Sequence, residues 1–80
     1  MQPSPYITDG AVNFHFASNG AVLRARISEA ALEEQFGARN GDSGSHIRAY
    51  LSNAQAIRVK AIHLVKIGAL EPVLIRSKHC

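Results

Sequence analysis

The sequence predicts a two-layer α+β domain in which helices pack on one face of a three-stranded, mainly antiparallel sheet. Three observations predict it. Alternating apolar residues flank Asn19-Gly20, an apolar period of about 3.6 residues runs through residues 46–67, and a β-rich run occupies residues 73–77. The expected element order is β-β-α-α(α)-β, for which a sheet covered by helices on one face is the economical arrangement.

Length and composition set the bounds of this domain. A chain of 80 residues makes one domain. We expect it at residues 11–78, after a poorly ordered segment at 1–10 that holds Pro3, Pro5 and an extended piece near Tyr6-Ile7. The formal net charge of +3 permits an anionic partner without requiring one.

Two independent signals predict the β-hairpin. Asn-Gly favours a two-residue type I′ turn, which needs positive φ at both positions. A turn at Asn19-Gly20 places apolar pairs on one face: Phe16 with Leu23, Phe14 with Ala25, and Val12 with Ile27. The intervening pairs are mostly polar: Ala17 with Val22, His15 with Arg24, and Asn13 with Arg26. Because a slip of one residue would mix the two faces, turn chemistry and apolar pattern agree on this register.

The first helix is expected over residues 29–36. Ser28 can cap it by accepting a hydrogen bond from a free backbone N–H. Ile27 and Leu32 have the spacing of a hydrophobic staple across that cap. Gly37 is expected to end the helix in the left-handed conformation.

A loop at residues 38–45 leads into the second helical stretch, with Ser43 or Ser45 as the expected cap. The apolar positions of the stretch are Ile47, Tyr50, Leu51, Ala54, Ile57, Ala61, Leu64 and Val65. One helix over 46–67 would be about 33 Å long, which equals or exceeds the expected diameter of the domain. We therefore favour a break at Ser52-Asn53, where both residues prefer caps, although the unbroken period favours one helix. The closing strand would direct Val73 and Ile75 into the core.

Residues 41–44 spell Gly-Asp-Ser-Gly, which resembles the serine-nucleophile motif of chymotrypsin-like proteases. Those enzymes need two β-barrels, and hence a chain several times longer, to assemble the triad. We interpret the stretch as a linker with a helix cap, and it lacks the Gly-Lys-Ser/Thr ending of a phosphate-binding loop. A hydrolase using Ser43 requires a histidine within hydrogen-bond reach of its hydroxyl.

The histidines and acidic residues show no catalytic or metal-binding spacing. We expect a solvated imidazole at each histidine: His15, His46, His63 and His79. Glu29, Glu33 and Glu34 are interpreted as surface residues favoured by the helix dipole. No metal, no cofactor and no enzymatic activity are therefore expected.

One set of residues is a candidate for binding anions or nucleic acid. If the closing strand joins the hairpin, a basic sheet face forms from five residues: His15, Arg24, Arg26, Arg76 and Lys78. Such a face can bind phosphates. Because Phe14 and Phe16 point inward, it has no aromatic side chain on which a base could stack. A solvated face is therefore favoured over a nucleic-acid platform.

With these residues placed, the chain resembles a small bacterial family catalogued as domain of unknown function 1488. The resemblance covers about residues 11–76 and is carried by VNFHF, ARIS, EAALEEQFG, LSNAQAIRVKAIHLVKIG and EPVLIRS. It implies a bacterial α+β domain and no particular activity.

We expect a small non-enzymatic domain that contacts an unknown macromolecular partner. Weak binding of nucleic acid or another anionic polymer through the basic sheet face is the alternative. The start MQPSPYITDG has no signal-peptide pattern and no apolar run is long enough to span a membrane, so we expect a cytoplasmic protein without membrane contact. Cys80 alone cannot form an internal disulfide, and two sheet edges leave a homodimer open.

Overall fold

The computed structural model describes residues 4–79. One sheet is formed by the hairpin, a short N-terminal strand and the closing strand, and the helices cover a single face of it. The strands are β1 (Tyr6–Thr8), β2 (Ala11–Ser18), β3 (Ala21–Ser28) and β4 (Val73–Ile75). The helices are α1 (Glu29–Gln35), α2 (Ser43–Ser52) and α3 (Ala54–Lys66), and a 3₁₀ turn at Ser77–His79 follows β4. The predicted α+β class is confirmed. The interpretation of Cys80 lies outside the described residues.

The predicted hairpin register is confirmed in every pair. Asn19 and Gly20 have φ values of 52° and 79°, as a type I′ turn requires. The apolar pairs Val12–Ile27, Phe14–Ala25 and Phe16–Leu23 therefore share the inner face, towards the helices. The intervening pairs occupy the outer face, away from the helices.

The sheet has four strands rather than the expected three, in the order β1-β2-β3-β4. The additional strand exists because Asp9 and Gly10, with φ values of 51° and 74°, form a second turn of the same kind. This turn pairs Tyr6 with Asn13, whose Nδ2 donates to Thr8 Oγ1 at 2.9 Å and thereby holds β1 in place. The pairings β1–β2 and β2–β3 are antiparallel, whereas β3–β4 is parallel.

The core lies between the inner face and the helices. Phe14 stacks against Tyr50 of α2, with ring centroids 4.8 Å apart. The largest apolar side chains that are fully buried come from five elements, namely β2, β3, α1, α3 and β4. They are Phe16, Ile27, Leu32, Ile57, Ile75, Val12 and Val73. Val73 and Ile75 are thus buried as predicted, and Leu74 between them is exposed.

The predicted punctuation of the helices is largely confirmed. Ser28 Oγ accepts from the backbone N–H of Ala31 at 3.0 Å, so Ser28 is the cap of α1. Gly37 follows the helix with a φ of 76°. The break between α2 and α3 falls at Asn53, whose side-chain amide donates to the Ala49 carbonyl at 2.9 Å in place of a continuous helical bond.

Two predictions about α2 are wrong. Its cap is Asp42 rather than Ser43 or Ser45, because Asp42 has an extended backbone and its Oδ1 accepts from the Ser45 N–H at 3.1 Å. The Ser45 hydroxyl instead accepts from the backbone N–H of Arg39 at 2.8 Å. The buried stripe is also shifted by one position, so that His46 is buried while Leu51 is exposed.

A Gly20→Ala substitution tests the hairpin turn. An added Cβ at Gly20 meets no atom within 4 Å, so the cost comes from the positive φ alone. We expect the free energy of unfolding, measured in urea, to fall by about 1 kcal/mol.

Gly44→Ala is the control, because Gly44 lies in the first turn of α2 with a helical backbone and an added Cβ would meet Asp42 Oδ1 and Arg48 Nη1 at an ordinary contact distance of 3.4 Å. The same change there should raise the free energy of unfolding by about 0.5–1 kcal/mol. A Gly20→Ala variant that is as stable as the unchanged chain would contradict the assigned turn.

Candidate functional site

The outer face of the sheet carries most of the predicted basic residues, arranged in rows by the register. One row runs across all four strands as Tyr6, Asn13, Arg26 and Leu74. The next row pairs His15 with Arg24. A hollow of about 200 Å³ opens between these rows, with Tyr6, His15, Arg24 and Arg26 in its lining. The structure therefore brings three of the predicted residues together around one concave surface.

Arg24 is exposed but has an acidic neighbour. The side chain is 64% accessible, and its Nε lies 3.5 Å from Oε1 of Glu71. The same oxygen accepts from the backbone N–H of Arg24 at 2.7 Å. The Glu71 side chain thus supplies a hydrogen bond to the edge of β3 just before the pairing with β4 begins at Ala25. Glu71 thus lowers the positive potential of the outer face, which the sequence pattern did not predict.

Arg26 is half-buried and ties the sheet together. Its Nη2 donates to the Thr8 carbonyl at 2.8 Å and lies 3.5 Å from the Asp9 carbonyl. Arg26 also lines a second hollow of about 160 Å³, together with Leu74 and Arg76. The guanidinium therefore connects two adjacent hollows while it holds β1 against the sheet.

Arg76 and Lys78 occupy different surroundings. Arg76 follows β4 and lines the second hollow beside Arg26. Lys78 lies in the 3₁₀ turn, which packs against α1 on the helix side of the sheet. Because β4 ends at Ile75, the strand geometry that would have carried Lys78 onto the outer face does not continue that far.

Sequence reasoning missed Tyr6 as a member of this surface. Tyr6 is 52% exposed as a residue and lies in the row of Arg26, on the face where no aromatic was expected. The signal was present in Asp9-Gly10, because that dipeptide is a hairpin turn signal like Asn19-Gly20. Applied there, the same rule pairs Tyr6 with Asn13 and places the ring on the outer face.

A second cluster, between α1 and α2, corrects the expectation of a solvated His46. The imidazole is 1% exposed, with Nε2 2.7 Å from Glu33 Oε2 and Nδ1 3.6 Å from Glu29 Oε2. An ionised carboxylate only accepts, so Nε2 donates to Glu33. Glu29 and Glu33, expected to be surface residues, are instead half-buried partners that join the two helices.

The contacts of His46 bear on the two chemical alternatives. Nε2 of His46 is hydrogen-bonded to Glu33 while its buried Nδ1 has no hydrogen-bond partner, and Ser43 makes no hydrogen bond to His15, His46 or His63. The contact between Ser43 and a histidine that the hydrolase hypothesis requires is not made by these three residues. No group of three or more His, Cys, Asp or Glu in the described part of the chain is arranged to hold a metal.

Tyr50 beside this cluster has a perturbed hydroxyl. Burial raises the pKa of Tyr50 above its ordinary value of 10.0, and the nearby Arg58 guanidinium opposes that rise. The phenol is thus neutral throughout the physiological range and contributes packing against Phe14 rather than charge.

Comparisons with models of protein families, with curated proteins and with solved structures found no match. The resemblance to domain of unknown function 1488 therefore stays a prediction. Over residues 4–79, none of the helices is both long enough and apolar enough to cross a bilayer.

Replacing His46 tests whether the cluster joins α1 to α2. His46→Ala removes a buried ring and leaves the Glu33 carboxylate without its donor. We expect the free energy of unfolding, measured in urea, to fall by about 2–4 kcal/mol.

His63→Ala is the control, because His63 is an exposed histidine on α3. It should change the free energy of unfolding by no more than about 0.5 kcal/mol. A loss in His46→Ala as small as the one expected for His63→Ala would mean that the contacts of His46 contribute nothing to stability.

Proposed function

We propose that this chain is a small, non-enzymatic macromolecular interaction module whose outer face binds single-stranded nucleic acid weakly. One observation carries the proposal: an exposed aromatic ring, Tyr6, stands in the lining of a hollow with His15, Arg24 and Arg26. Single-strand platforms combine a basic surface that follows the phosphates with aromatic rings on which bases stack. Tyr6 supplies the element whose absence made this function the less favoured alternative.

The charges around the hollow support a weak rather than a tight interaction. The Arg24 guanidinium lies beside the Glu71 carboxylate, and Arg26 donates to the Thr8 carbonyl next to the β1–β2 turn. Each cation must therefore satisfy an internal partner as well as a phosphate. The same proposal includes a bacterial origin, a cytoplasmic location and the lack of enzymatic activity. A bacterial cytoplasm presents abundant single-stranded RNA, which is the ligand that such a module would bind.

The Tyr6→Ala variant tests the stacking contribution. The protein is titrated into a fluorescein-labelled oligouridine at low salt, and binding is followed by fluorescence anisotropy. Stacking of one base contributes about 1–3 kcal/mol, so we expect the affinity to fall at least about fivefold. Tyr6→Phe keeps the ring and should bind like the unchanged chain.

Lys60→Glu is the charge control, because Lys60 is exposed on α3 and lines neither hollow. Its effect on affinity should stay within about twofold in moderate salt, where distant charges are screened. No binding at low salt, or equal binding by the unchanged and Tyr6→Ala chains, would overturn the proposal. Binding of an acidic protein but no oligonucleotide would assign the face to a protein partner instead.

A second variant tests the part assigned to Glu71. Glu71→Gln keeps an oxygen that can accept from the Arg24 N–H and removes the negative charge beside the guanidinium. Arg24 is then free to neutralise a phosphate, so oligouridine should bind more tightly. The slope of the logarithm of the binding constant against the logarithm of the salt concentration should become steeper by up to about 0.7. A lower affinity with an unchanged melting temperature would contradict this role of Glu71.

A further inference from the structure

The exposed side of α3 has features that the outer face does not use. From Ser43 to Leu70 the chain contains no Asp or Glu, while it carries four Lys or Arg residues: Arg48, Arg58, Lys60 and Lys66. Proteins usually intersperse both signs on a solvated surface. This segment therefore presents a positive surface without the internal carboxylates that accompany Arg24 on the sheet.

A groove follows this side of the helix. One hollow, of about 530 Å³, is lined by Ala17 near the hairpin tip and by Gln55, Arg58, Val59 and Ile62 of α3. A second hollow, of about 230 Å³, continues it with Val59, Ile62, His63 and Lys66. The two share Val59 and Ile62, so the α3 groove spans residues 55–66, about 16 Å at the rise of an α-helix.

The lining of the α3 groove has an apolar part and a basic part. Val59 is 59% exposed although it is a branched apolar side chain, and Ile62 beside it is half-buried. Arg58, His63 and Lys66 border these two residues at helical spacing. The buried residues of α3 are Ile57, Ala61 and Leu64. Ile62 is partly buried and packs against the core from the edge of the groove, whereas Val59 is not among the residues that pack against the core.

We propose that the α3 groove binds an acidic, amphipathic helical segment of a partner protein. Two or three apolar side chains at helical spacing would cover Val59 and Ile62, as in helix-in-groove recognition. Flanking Asp or Glu side chains would meet Arg58 and Lys66, which have no carboxylate on their own segment to compete. This site is separate from the outer face, because the two surfaces share no lining residue.

A protein segment fits the groove better than the other polyanions. The α3 groove has no Phe, Tyr or Trp in its lining and offers a base only the small imidazole ring of His63, whereas the outer face has Tyr6. Adsorption to a bilayer requires a broad apolar helix face, whereas the apolar part of this lining is limited to Val59 and Ile62 beside Arg58, His63 and Lys66.

The test uses a labelled synthetic peptide of Glu, Leu and Ala, about 15 residues long, with leucines at helical spacing. The full chain is titrated into the peptide, and binding is followed by fluorescence anisotropy. Lys66→Glu should weaken binding about tenfold, which corresponds to about 1.4 kcal/mol. Lys60→Glu makes the same change on the same helix outside the groove and should alter the affinity less than about twofold.

The apolar part of the proposal has its own readout. Val59→Asn should weaken binding of the peptide about fivefold without changing the affinity for oligouridine. A peptide with Ala in place of Leu should bind the unchanged chain no more tightly than the leucine peptide binds Val59→Asn. The proposal is overturned if the peptide does not bind, if Lys60→Glu and Lys66→Glu act alike, or if the alanine peptide binds as well as the leucine peptide. Displacement of the peptide by oligouridine or by phosphatidylserine vesicles also overturns the proposal if the Tyr6→Ala variant shows the same displacement. The competitor would then bind in the groove itself, and the groove would be a general polyanion site.

Discussion

The two-residue turn at Asn19-Gly20 is the constraint on which the rest of the structure depends. Side chains alternate between the two faces of a strand, so the turn position decides the side taken by every residue of β2 and β3. It directs Phe14 and Phe16 towards the helices and Arg24 and Arg26 away from them. The core and the outer face are thus two results of one register, and neither can change without the other.

The strands at either side of the hairpin are added by weaker and more local interactions. β1 is held by a second turn at Asp9-Gly10 and by hydrogen bonds from Asn13 and Arg26. β4 pairs with only three residues of β3, and the Glu71 side chain continues its hydrogen bonding to Arg24. Several outer-face side chains therefore stabilise the sheet and line the hollows at the same time, which limits how strongly they can bind a partner.

Local chemistry was sufficient to predict the features that depend on neighbouring residues in the chain. The register around Asn19-Gly20, the cap at Ser28 and the break at Asn53 each follow from the preferences of a few adjacent residues. β1 could also have been predicted, because Asp9-Gly10 carries the same signal. The burial of His46 was missed because a histidine was counted as polar, although 46, 49, 50, 57, 61 and 64 fit one helical face. The pairing of Arg24 with Glu71 could not be predicted, since it joins residues 47 positions apart and depends on where β4 docks.

The α3 groove follows from a different level of the sequence. The absence of acidic residues between Ser43 and Leu70 is visible in composition, but the concave surface requires α3 and the hairpin tip to lie side by side. If both proposals hold, the module carries two anion-binding surfaces with separate residues and separate chemistry, one suited to bases and one to an apolar helix face.

The most direct measurement of this account is a set of cross-strand nuclear Overhauser effects between backbone protons of the hairpin. The register predicts contacts between Asn13 and Arg26 and between His15 and Arg24. A contact between Phe14 and Arg24 in their place would show a slipped hairpin, in which the core and the outer face described above could not both exist.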